Sequence, residues 1–368
     1  MPSVRVLYRW ARTIRSHFPR LHHYQVLGLA LFSLGVVLAR QCQLSRVAEE
    51  LAFMGKAETV ERRLRRWLSN ARLDLAICCQ AWMRWVFSQY TSQRPILLVD
   101  ETKLGKRIGV LMVSLAYRGR AIPLVWCCYV ANSEADYPAE GQVGVIKRLL
   151  QQVQSVLPPD CRPVVQADQG IGNSSKLMKA VQALSMSYLM RVKKSSVFTS
   201  RRGKRMVLSA LCKPGESWCG AGTLFVTYGS QVRCIVHVLW DKGYDDMWCL
   251  ATNDRHLKAR DYALRMWQEE SFRDLKRGGW QWNASFVRDP QRAARLILVL
   301  ALAYAWVLTQ GALVLTRDEN EQRQITSGRR CKYSIFRLGL RLVKRLLYLD
   351  PNRIHFELCF PPPYPLVC

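Results

Sequence analysis

A change of texture at Pro95 does more than any other feature to restrict what this chain can fold into. Before it, proline occurs only at Pro2 and Pro19, glycine is sparse, and the sequence reads as helical. After it come short apolar runs separated by turn residues. Ile96-Leu97-Leu98-Val99 is wholly apolar and stops at Asp100. Residues 109–117 and 121–130 are strand-like and are joined by Arg118-Gly119-Arg120, which predicts an antiparallel hairpin. Residues 140–157 read as a helix closed by Pro158-Pro159, and 163–167 as a buried strand that stops at Asp168. Gly170 and Gly172 turn the chain into a helix over 173–184, and 187–192 is the next strand. Three strands, then helix, strand, helix and strand, make one mixed sheet with helices on both faces.

That order is the order of a ribonuclease-H-like fold, so the expected class is α/β (α+β). Over 193–257 the alternation breaks, and β-rich runs at 223–227, 232–240 and 247–252 predict an all-β insertion. The chain is helical again from Lys258. Near its end Arg337, Arg341, Lys344 and Arg345 accompany Phe336, Leu340, Val343 and Leu347, ahead of a proline-rich tail. The expected division is 1–92, a helical N-terminal DNA-binding region; 93–192, the first part of the core; 193–257, the β-rich insertion; 258–316, the second part of the core; and 317–368, a basic helical region and tail.

Charge points to the partner. Lys and Arg number 55 against 27 Asp and Glu, so 55 − 27 leaves +28 in a chain that is 49% hydrophobic and 10% aromatic. Such a composition excludes an intrinsically disordered chain, and such a charge calls for a polyanion, nucleic acid before an anionic membrane surface. In the N-terminal region, Ser45 caps a short helix through Phe53, Gly55 breaks it, and a second helix runs near 59–69, followed by another over 73–90. Val60, Leu64, Trp67 and Leu68 form its apolar stripe, and Arg62, Arg63, Arg65 and Arg66 fall off it. This suggests a helix-turn-helix-like DNA reader using Arg62, Arg63 and Arg66, although a solvated basic face gives the same pattern.

Two apolar stretches bear on membranes. Residues 24–39 are 16 long, short of the roughly 20 a span needs, and Arg40, Gln41 and Cys42 follow instead of a small-residue cleavage site. Residues 296–316 carry no charge over 21 positions, yet contain Thr309, Gln310 and Gly311. Both read as buried core helices, and no membrane partner is expected. The 13 cysteines are odd in number and form no C-x-x-C, which fits reduced, mostly buried thiols in a cytosolic protein.

The chemistry lies with the acids. Asp100 and Asp168 each stand where an apolar strand stops, the place where open sheets bind ligands. If the strands are neighbours, the carboxylates converge and need a cation between them, which suits Mg²⁺ or Mn²⁺. In a helix over 261–276, Tyr262, Arg265, Glu269 and Lys276 fall at offsets 0, 3, 7 and 14. At 3.6 residues per turn they share a stripe about 60° wide. Glu269 would complete a three-carboxylate site, Arg265 and Lys276 would bind phosphates, and Tyr262 would pack on or hydrogen-bond to the backbone. Glu101 alternates to the opposite strand face, and Glu270 lies about 100° around the helix from Glu269. A zinc site at Cys212, Cys219, Cys234 and His237 is disfavoured, because Cys234 and His237 fall on opposite faces of one strand.

Asp100, Asp168 and Glu269, together with Y-x2-R-x3-E-x6-K at Tyr262, Arg265, Glu269 and Lys276, resemble the DDE transposases of bacterial insertion sequences. The likeness is to the branch with the Tyr-Arg-Glu-Lys signature, the insertion sequence four family. It covers about 95–290, and the gap of 269 − 168 = 101 residues fits that branch's β-rich insertion. The resemblance implies two Mg²⁺ (or Mn²⁺) ions held by Asp100, Asp168 and Glu269. It implies cleavage at terminal inverted repeats and joining of the 3′-OH to target DNA, with hairpin ends as one route. It further implies a homodimer on DNA cutting in trans, in the cytoplasm at the prokaryotic nucleoid. Trp248, in Met247-Trp248-Cys249-Leu250-Ala251-Thr252-Asn253, resembles a residue that stacks on a flipped base, while insertion core is the other reading. A metal-dependent nuclease without strand transfer, or an inactive DNA-binding relative, are the alternatives.

Overall fold

β1 (Ile96–Leu104), β2 (Ile108–Tyr117) and β3 (Arg120–Val130) form an antiparallel meander. The computed structural model that shows it describes residues 4–133, 135–316, 325–326 and 333–365. The β2–β3 turn places Arg118 at φ 43° and Gly119 at φ 80°, two positive values that match the twist of a tight hairpin. On the other side of β1, β4 (Val164–Ala167) runs parallel to it, and β5 (Ser187–Arg191) runs parallel to β4. Between these strands the chain forms α6 (Gly141–Gln154), α7 (Gln169–Gly172) and α8 (Ser175–Ala183). The helix expected over 173–184 is α8, and the expected glycine turn before it is itself a short helix, α7. Asp168 caps α7 and Ser174 caps α8, so a single helix cannot run through.

The segment expected to be an all-β insertion is rich in strands, but they continue the same sheet. These are β6 (Val197–Ser200), β7 (Arg205–Val207), β8 (Ser217–Leu224), β9 (Val232–Leu239) and β10 (Trp248–Thr252). β10 pairs antiparallel with β5, so ten strands run in the order β3-β2-β1-β4-β5-β10-β9-β8-β6-β7. The whole is a mixed α/β, mostly antiparallel sheet with flanking helices.

Among the described residues five α-helices precede the sheet: α1 (Val4–His17), α2 (His23–Ala39), α3 (Leu44–Glu50), α4 (Ala57–Leu68) and α5 (Leu75–Gln89). Gln43, not Ser45, stands at the N-cap of α3, and a short 3-10 turn over Ala52–Met54 leads into Gly55 at φ 123°. α4 buries Val60, Leu64, Trp67 and Leu68, the predicted stripe. Its Trp67 ring lies against Gly28 of α2, where a Cβ would come within 2.2 Å of the ring, and its Nε1 donates to Gln25 O at 3.0 Å. Only glycine permits that approach.

After the sheet come α9 (Met266–Leu275), α10 (Pro290–Leu315) and α11 (Ile335–Leu349). Asp289 caps α10 through Arg292 N and Pro290 occupies its first turn, where a missing N–H costs nothing. Among the described residues α10 is the one helix long and apolar enough to cross a membrane, and 94% of its most apolar window is buried inside the protein. α2 is likewise buried on nearly every side. Part of the expected basic C-terminal region lies outside the described residues. Within them, α11 exposes Arg337, Arg341, Lys344 and Arg345, buries Phe336, Val343 and Leu347, and half-buries Leu340.

Candidate active site

β1 outruns β4, and this sets the site. Val99 pairs with Ala167, the last residue of β4, while β1 continues to Leu104 against β2 alone. Asp100 therefore lies within a strand and not at its end, contrary to expectation. The reason is that backbone groups make the ladder, and β2 supplies partners for residues 100–104 whatever their side chains. The consequence survives, because Asp100 and Asp168 follow paired residues and emerge side by side. Asp100 is 6% exposed, and its Oδ1 accepts from Glu101 N at 2.8 Å. Asp168 accepts from Ile171 N at 3.0 Å as the cap of α7.

The expected continuous helix over 261–276 is also different. Ala259–Arg265 is a 3-10 helix, opened by Asp261 Oδ2 accepting from Lys258 N at 2.8 Å, and α9 begins at Met266. At three residues per turn the calculated stripe does not hold through Tyr262. The tighter turn lets Tyr262 tuck beneath the sheet with Ile96, Leu98 and Val164, and its hydroxyl donates to Ala167 O at 3.3 Å. That bond ties the segment to the residue just before Asp168.

Arg265 is the focus. Its Nη2 meets Asp100 Oδ2 at 2.8 Å and lies 3.8 Å from Asp168 Oδ2, and its Nη1 meets Glu269 Oε1 at 2.8 Å. One guanidinium faces three carboxylates, and its Nε is buried without a partner among the described residues. Burial pushes the Asp100 carboxyl up to about 7, although Arg265 and the Glu101 N–H pull it down. Burial alone would lower Arg265, and the charges of Asp100, Tyr262, Glu269 and Asp168 together outweigh it and hold its pKa up. Lys276 follows the last turn of α9 and donates from Nζ to Thr102 Oγ1 at 2.6 Å. Its ammonium is held below the usual lysine value by burial, against the pull of Glu269 and Asp100. Thr102 was missed in the sequence, yet it lies two residues from Asp100 and so on the same strand face.

The neighbouring acids turn away. Glu101 accepts from Gln142 Nε2 of α6 at 3.1 Å, and Glu270 pairs with Arg120 and Arg273. A second missed group holds α9 in place. Arg120 Nε lies 2.5 Å from Asp274 Oδ2, Tyr304 OH donates to the same oxygen at 3.1 Å, and Ala121 N donates to Ser271 Oγ at 2.6 Å. Its signal was a carboxylate on the apolar side of a helix.

With that geometry established, comparison with known families decides the identity at family level. Residues 91–306, more than half the chain, match the family model described as the transposase DDE domain. This chain belongs to that family. No match was found among curated proteins.

The transposase DDE domain generally uses divalent metals, and the donor set here has the matching chemistry: three carboxylates, all hard oxygen donors, aimed at one positive centre. The guanidinium takes that centre. Among the described residues, no group of three His, Cys, Asp or Glu side chains is gathered closely enough to hold an ion. The acids therefore gather around Arg265, and not directly around one another as expected. Trp248, at the start of β10, packs edge-on against Tyr262 with ring centroids 5.3 Å apart. It borders a hollow of about 250 Å³ with Tyr244, Asp246 and Arg260. Arg62, Arg63 and Arg66 lie on the outer side of α4, with no bond to the carboxylates. Cys234 is buried and His237 half-buried on alternating positions of β9, and the described cysteines are free thiols.

Proposed function

We propose that this protein is an insertion-sequence transposase of the Tyr-Arg-Glu-Lys branch, the insertion sequence four family. It cuts the terminal inverted repeats of its element and joins the 3′-OH to target DNA. The observation that supports this most is the convergence of Asp100, Asp168 and Glu269 on the single cationic focus of Arg265. Asp100, Asp168 and Glu269 would hold two Mg²⁺ or Mn²⁺ ions, with Arg265 withdrawn. When bound, such ions supply Lewis-acid charge at the attacking and leaving oxygens of phosphoryl transfer. Arg265 then moves its charge onto a DNA phosphate, and Lys276 serves a second phosphate from beside Thr102. Tyr262 keeps the 3-10 segment against β4, so that these side chains stay in reach of Asp168. Trp248 and its hollow offer a platform for an unstacked base if the second strand is cut through a hairpin. The basic α3–α4 region would bind element DNA, and residues 193–257 would be the branch's insertion. The active species would be a homodimer on two element ends, in the cytoplasm at the nucleoid.

The deciding experiment incubates the protein with a terminal-repeat duplex, a plasmid target and Mg²⁺. Wild type should release the end and yield joined products, and Glu269→Ala should reduce both to background. Cleavage without joined products would mean a nuclease, and Glu269→Ala with full activity would sink the assignment of that residue.

A further inference from the structure

Beside α4 lies a basic groove that the carboxylate site does not account for. Thr59, Arg62, Arg65, Arg66 and Ser69 of α4 and its C-terminal edge line a hollow of about 590 Å³, whose far wall is Arg292 of α10. A second hollow of about 350 Å³ shares Arg65, Ser69 and Arg292 and runs on to Arg288. The two make one open channel between the N-terminal helices and the first turn of α10. Its walls are held together: Arg295 Nη1 donates to Leu68 O at 2.9 Å, pinning the end of α4 to α10.

Charge in the channel is poorly balanced. Glu61 pairs with Arg65 at 2.5 Å, and Asp289 is engaged at Arg292 N at 2.7 Å as the cap of α10. Among the described residues no carboxylate forms an ion pair with Arg62, Arg66, Arg288 or Arg292, and all four are exposed. Thr59 and Ser69 flank the arginines of α4 in the lining of the hollow. Forked guanidinium donors on α4, faced by Arg292 of α10, match phosphate oxygens along a backbone.

We infer that this channel is a DNA-backbone site of the transposase, in which Arg292 of α10 completes a phosphate clamp begun by Arg62 and Arg66 of α4. The inference rests on the transposase reading and specifies how the N-terminal region meets DNA. The arginines do not stand on a free recognition helix, for α4 is docked on the matched domain and shares its ligand with it. Contact is to phosphates, so it is independent of base sequence.

The test measures binding of a terminal-repeat duplex by fluorescence anisotropy over a salt series. Each phosphate contact contributes about 0.9 to the slope of log affinity against log salt. Arg292→Gln should lower the slope by about 0.9, and Arg62→Gln/Arg66→Gln/Arg292→Gln by about 2.7, on matched and scrambled duplexes alike. Arg292→Lys should retain the slope, and melting temperatures should match wild type, because the three side chains are exposed. A wild type that binds DNA while Arg292→Gln leaves slope and affinity untouched would overturn the clamp and leave the transposase reading standing. A wild type that binds no DNA would overturn both.

Discussion

At the scale of single residues, Arg265 carries the most consequence. Its side chain is 13% exposed and pairs with the 9% exposed carboxylate of Asp100, so removing it strands that charge away from water, whereas Asp168 and Glu269 remain open to solvent. Breaking a buried pair by deleting one partner costs about 3–5 kcal/mol. Arg265→Met should therefore lower metal-free stability by about 3 kcal/mol at pH 8, read from the urea midpoint. The sign of its pH dependence follows from Asp100. That carboxyl is raised to about 7, so it is largely protonated at pH 5 and has less need of a cation there. The loss should shrink as pH falls from 8 to 5, and equal losses at both would show that Asp100 is not the group stranded. The acids and Arg265 were legible in the sequence as residue types at suggestive spacing. That Arg265 stands among the three carboxylates was not, since a helical wheel places side chains on a face without saying what lies opposite.

Elements show where local pattern suffices and where it fails. The uncharged stretch over 296–316 announced a buried helix, and Asp289-Pro290 marks its start by a cap and a proline that needs no donor. What it packs against is a matter of close approach. α10 and α11 cross so tightly that a Cβ on Gly311 would lie 1.9 Å from Ile335 O, and one on Gly339 1.9 Å from Val307 O. Backbone cannot yield as a side-chain tip does, so Gly339→Ala should cost about 3 kcal/mol, at the upper end of overpacking penalties. A urea midpoint unchanged from wild type would refute this close packing. Polar Glu101, Thr102 and Lys103 hide the second half of β1 from a hydrophobic pattern, and the 3-10 start of the 259–275 segment resembles an α-helix because both carry similar short-range spacing.

On the scale of the whole molecule, the sheet does not stop where the sequence changes character. β10 covers the edge of β5, with Leu250 paired to Arg191 and Ala251 to Met190, and Leu250 joins Leu189, Val164 and Tyr262 in one apolar cluster. Excising residues 193–252 and joining Val192 to Asn253 should expose an unpaired strand edge and open that cluster, giving insoluble or non-cooperatively melting protein. A soluble remainder with a single sharp transition would instead make the segment a separable module. By itself, the sequence determined which segments are helical or extended, which are buried, that the chain is strongly cationic, and which acids and bases are candidates for its chemistry. These follow from periodicity and composition, which are local. Only the tertiary structure decided that β1 overshoots β4, that one guanidinium gathers three carboxylates, that the β-rich stretch extends the same sheet, and that α4 and α10 wall a common channel. Each of those depends on register or on contact between residues far apart in the chain, and no short window of sequence holds either.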